Sequence, residues 1–84
     1  MRVDISITYC AVCRYTPLAV SLTTELLQSF EADIERISLF PSSGGVFDVV
    51  INGELLFSKK LTGRQAEPGE VKALLQNFLE ERSS

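Results

Sequence analysis

Val3, Ile5 and Ile7 alternate with Asp4 and Ser6, and this period of two constrains the chain more than any other feature. It places one row of side chains on a core and the other toward water, as in a strand of a sheet covered on one face. A strand is predicted over residues 2–9. From Pro17 to Phe30 the period changes, with Ala19, Leu22, Leu26 and Phe30 at spacings of three and four and Leu18, Val20 and Leu27 widening the stripe. That pattern predicts a helix laid against a sheet. A second strand is predicted over about residues 34–40, where Ile37 and Leu39 flank Ser38 before the turn cluster "PSSGG". Strand, helix and strand in close succession make a right-handed parallel crossover.

In the second half, Asn52-Gly53 separates two runs rich in Val, Ile, Leu and Phe. Asn-Gly supplies the positive φ angles of a two-residue type I′ turn, so an antiparallel hairpin is expected. Phe47, Val49 and Ile51, alternating with Val46, Asp48 and Val50, are assigned to the core. After the polar loop "LTGRQAEPGE" come Val71, Leu74, Leu75, Phe78 and Leu79, one face of a last helix. Pro68 suits its first turn, and Glu67 and Glu70 match the positive end of its dipole. The tail "ERSS" is expected to fray. The predicted order is β-α-β-β-β-α, an α/β fold with a four-stranded mixed sheet and two helices.

With 84 residues, 45% of them hydrophobic and 23% charged, the chain suits one small folded domain over residues 1–84. The net charge of -3 and the scattered Lys and Arg residues lack the basic stripe of a nucleic-acid binder. No continuous apolar segment suggests a membrane span or a secretory signal. A cytoplasmic location is the expectation.

That location bears on Cys10 and Cys13, the only cysteines, in "ITYCAVCRYTP". A reducing compartment disfavours a purely structural disulfide and leaves redox or metal chemistry as the usual reasons for C-x-x-C. Two cysteines without a histidine supply only half a structural zinc site, so a metal would need a dimer. No metal or other cofactor is assigned. At a strand-to-helix junction, positions i and i+3 lie about 5–6 Å apart, within disulfide reach. A helix N-terminus favours a nearby thiolate, the nucleophilic form, by about 0.3–1 kcal/mol. Thr16-Pro17 reads as N-cap and first helical residue, which would leave the cysteines in a loop ahead of the helix. A start near Cys13 would instead put Pro17 at the end of the first turn. The competing reading is that both cysteines are small buried hydrophobes; against it, they sit at a chain turn beside Arg14 and Thr16, off either apolar stripe.

"YCAVC" after the first strand, "LFPSSGGVFDV" in the middle and "NGELLFSKK" before a glycine-containing loop and a final amphipathic helix resemble the selenoprotein W family of thioredoxin-like proteins, also called the Rdx family. The resemblance runs from about Val3 to Leu79. It implies a thioredoxin-like two-layer sandwich without the helix usual between the second and third strands. It also implies a thiol oxidoreductase whose partner is glutathione or a protein thiol. Selenoprotein members carry selenocysteine at the second motif position, which makes Cys13 a candidate attacking group. Thioredoxin order would make Cys10 the attacker and Cys13 the resolving thiol, so both are candidate catalytic residues. A rival function is a redox-dependent protein-binding module that turns over no substrate.

The chain departs from thioredoxins in having no proline immediately before the third strand; Pro41 lies several residues early. Ser43, Gly44 and Gly45 occupy that approach and offer bare backbone to a small thiol such as glutathione, unless the glycines serve only the turn. "GRQAEP" replaces the Gly-x-Phe-Pro segment frequent in the family. Tyr9 and Tyr15 flank the motif, as shields for the sulfurs or as rim packing. Lys59, Lys60 and Arg64 form a basic cluster, either a site for an acidic peptide or glutathione's carboxylates or a solvated strand end.

Overall fold

The computed structural model describes residues 2–83. The chain runs β1 (Val3–Cys10), α1 (Thr16–Phe30), a 3-10 turn (Glu31–Asp33), β2 (Ile34–Ser42), β3 (Phe47–Ile51), β4 (Glu54–Ser58), α2 (Lys59–Thr62) and α3 (Glu70–Ser83). The sheet order is β2-β1-β3-β4. β1 and β2 are parallel, and the β1–β3 and β3–β4 pairs are antiparallel. The predicted order and mixed sheet are present, with the one-turn helix α2 added.

Alternation builds the two layers. Val3, Ile5, Ile7 and Tyr9 of β1 are buried together with Phe47, Val49 and Ile51 of β3. They share one core with Ala19 and Leu26 of α1 and Val71 and Leu75 of α3. Burying a side chain of this size contributes about 1.5–3 kcal/mol, so this face carries most of the stability. The opposite face keeps Asp4, Ser6 and Thr8 half-exposed and Phe40 and Leu55 exposed. At the hairpin, Asn52 (φ 50°) and Gly53 (φ 84°) both take the left-handed conformation that a type I′ turn requires. Asn52 Oδ1 also accepts the Asp4 N–H at 2.9 Å, tying the turn to β1.

Several details differ from the sequence reading. The α1 stripe is narrower, since Leu18 and Val20 are 45% and 49% exposed. β2 continues through Pro41 to Ser42; it is an edge strand, where a missing N–H is tolerated. Lys59 and Lys60 leave the sheet as α2, because Ser58 Oγ accepts the Leu61 N–H at 3.4 Å and Gly63 closes the turn at φ 75°. Pro68 lies outside α3, which starts at Glu70 after Gly69 at φ 79°. At the "ERSS" end α3 continues to Ser83, and Ser84 lies outside the described residues.

Candidate functional site

The site forms because β1 is an interior strand with neighbours of opposite direction. β2 ends and β3 begins at the end of β1 that carries Cys10. The link between them therefore crosses over that end. Cys10 N–H donates to the Val46 carbonyl at 2.8 Å and Ala11 N–H to the Ser42 carbonyl at 3.0 Å. Gly44 (φ 78°) and Gly45 (φ 75°) give the link its left-handed bend. Cys10 is 0% exposed although it follows buried Tyr9 and breaks the alternation of the strand. Ser43, Gly44 and Gly45 thus lie beside the cysteine motif, with Ser43 and Gly44 exposed.

Past Cys10 the chain turns tightly. Arg14 N–H donates to the Ala11 carbonyl at 3.0 Å and Tyr15 N–H to the Cys10 carbonyl at 3.2 Å, with Arg14 left-handed at φ 65°. The turn lifts Val12 and Cys13 into solvent; Val12 is 78% exposed. A disulfide joins Cys10 to Cys13, with Cα atoms 5.2 Å apart. One cysteine is enclosed and the other is open. Helix α1 starts after the motif, with Tyr15 as N-cap and Thr16 and Pro17 as its first two residues. The expected Thr16 cap is displaced by one position, and the start near Cys13 is not adopted.

Tyr9 is a core residue at 6% exposure. Tyr15 packs its ring edge-on to Phe47, with centroids 6.4 Å apart and planes at 69°. Arg64 is committed elsewhere: its Nη1 and Nη2 donate to Glu70 Oε1 and Oε2 at 2.6 and 2.9 Å. Nη1 also donates to the Gln65 carbonyl at 3.0 Å, and Glu70 Oε1 accepts the Glu67 N–H at 2.9 Å. The Arg64 hydrogen bonds, then that N–H, pull the Glu70 carboxyl down to about 2, while Glu70 raises Arg64. The basic cluster is thereby reduced to Lys59 and Lys60 on α2. Sequence reasoning also missed a cleft between α1 and the loop before α3, lined in part by Leu18 and Gln65. Nothing in the pattern marks Gln65; Leu18 was read as helix stripe.

The β-α-β-β-β-α order, the strand order β2-β1-β3-β4 and a cysteine pair at the end of an interior strand make this a thioredoxin-like protein. The Rdx family profile matches residues 4–77, and the chain belongs to the Rdx family. The crystal structure of a selenoprotein W-related protein from Vibrio cholerae superposes with a TM-score of 0.87 at 29% identity, covering 93% of this chain and 98% of that one. A protein from Bordetella parapertussis superposes at 0.86 with 32% identity, covering 90% and 96%. No curated protein sequence matches the chain. Among the described residues, no helix is long and apolar enough to cross a membrane.

Proposed function

We propose that the chain is a thiol–disulfide redox protein in which Cys13 exchanges with partners and Cys10 resolves. The carrying observation is the unequal burial of the pair, Cys10 at 0% and Cys13 exposed. In the oxidising direction the Cys13 thiolate attacks a partner disulfide RS–SR′, forming Cys13–S–S–R and releasing R′S⁻. The Cys10 thiolate then attacks Cys13 Sγ, closing the Cys10–Cys13 disulfide and releasing RS⁻, so two electrons pass from protein to partner. The reverse sequence reduces the protein. Exchange requires access to the attacked sulfur, and only one end of this disulfide offers it.

The partner is glutathione or a protein thiol, and Ser43, Gly44 and Gly45 present backbone to the group bound in the mixed disulfide. The reaction belongs to the cytoplasm, where thiol pools return the pair to the dithiol. The exposed Val12, an apolar residue between the two cysteines, also supports a redox-dependent docking role. Turnover separates the two. Incubation with oxidised glutathione or a protein disulfide, followed by non-reducing mass spectrometry, should trap a mixed disulfide on Cys10→Ser and none on Cys13→Ser. Trapping on Cys13→Ser alone would reverse the assignment, and trapping on neither would remove the redox function.

A further inference from the structure

Below the disulfide end of the sheet, a cleft of about 260 Å³ lies between α1 and the loop leading into α3. Leu18, Leu22, Phe47, Ala66 and Val71 give it an apolar lining. Phe47 makes it continuous with the redox site, since its ring meets Tyr15 and its neighbour Val46 holds the Cys10 N–H. The loop wall is preset: Arg64 binds both the Gln65 carbonyl and the Glu70 carboxylate, and Glu70 accepts the Glu67 N–H.

Gln65 brings an unsatisfied group to this wall. Its Oε1 and Nε2 are both shut off from solvent, with no hydrogen-bond partner among the described residues. Buried polar groups without partners are destabilising and few in native proteins. Gln65 lines the cleft, and a peptide group bound there would match its amide donor to acceptor and acceptor to donor. The charged residues of the lining are both acids, Glu25 and Glu67. The volume falls below the range of about 300–1,000 Å³ usual for small-molecule sites and suits a side chain with its peptide group.

We propose that this cleft docks the protein partner of Cys13, an extended segment bearing an apolar side chain and a Lys or Arg a few residues from its own cysteine. The inference rests on the thiol-exchange reading and narrows it: the partner is a protein and not glutathione, whose surplus carboxylates meet two glutamates and a chain of net charge -3. An extended segment advances about 3.3 Å per residue, and in this proposal a side chain within a few residues of the partner's cysteine enters the cleft while that cysteine engages Cys13.

The test uses reduced full-length protein and two oxidants, glutathione disulfide and the disulfide dimer of a capped peptide with Leu two and Lys three residues after its cysteine. Wild type should be oxidised at least about tenfold faster by the peptide. Gln65→Leu should lower the peptide rate several-fold and leave the glutathione rate unchanged. The double variant Glu25→Lys, Glu67→Lys should lower the first and raise the second, an effect that weakens with salt. Equal wild-type rates, or variants that alter both oxidants alike, overturn the docking site while leaving exchange intact. Oxidation by neither overturns the exchange reading itself. A peptide with Ser in place of its cysteine, titrated into oxidised protein, should shift the Gln65 side-chain amide resonances. Shifts absent there overturn docking whatever the rates.

Discussion

Compare the two single-cysteine proteins, Cys10→Ser and Cys13→Ser, by their rate of alkylation with iodoacetamide. Cys10 is 0% exposed, and lifting the link over the end of β1, which breaks the 2.8 Å bond from Cys10 N–H to Val46 and the 3.0 Å bond from Ala11 N–H to Ser42, is the opening expected to admit reagent. At about 1 kcal/mol net per bond, that opening costs about 2 kcal/mol and slows the reaction about 30-fold. Quenched-flow mass spectrometry at one fixed pH measures both rates. Equal rates, or a faster Cys10, would refute the burial argument.

Three other outcomes follow from the packing. Gly44→Ala and Gly45→Ala should each cost about 1–2 kcal/mol in urea unfolding, because both sit at left-handed φ with nothing within 4 Å of an added Cβ, leaving backbone strain as the cause. Glu70 has a carboxyl depressed from 4.5 to about 2, so its pairing contributes fully above about pH 4.5 and is lost as pH falls toward 2. Thermal melts of wild type and Glu70→Gln should therefore converge on acidification through that window. Leu26→Ala removes a side chain at 0% exposure and should cost about 2–5 kcal/mol, against a total of about 5–15 for a domain.

Legibility followed the range of the interaction. The alternation of Val3, Ile5 and Ile7, the Ala19 and Leu26 face and the Asn52-Gly53 turn are local signals, and each appears in the fold at its place. Single-turn features were weaker. Ser58 and Gly63 bracket α2 as cap and stop, but four residues carry no periodicity to distinguish a helix from a loop. The enclosure of Cys10 was not legible because it depends on strand order. Only when β1 lies between β2 and β3 must residues 43–46 cross its end. Gln65 was hidden for a similar reason, since its burial arises from a loop held by Arg64 and Glu70.

The same geometry explains why the burial order runs opposite to that of thioredoxins, where the first cysteine is the open one. Here the helix waits until Thr16, three positions past Cys13. Cys10 is still part of β1 and its backbone is claimed by the crossing link, while Cys13 belongs to a turn closed by Arg14 in a left-handed conformation. Burial passes to the residue on the strand, and access to the residue in the turn. The position that selenoprotein members give to selenocysteine is therefore the one this backbone exposes. On the exchange reading proposed above, access alone would direct partners to Cys13, and selenium in that place would add nucleophilicity to a position that the backbone already exposes.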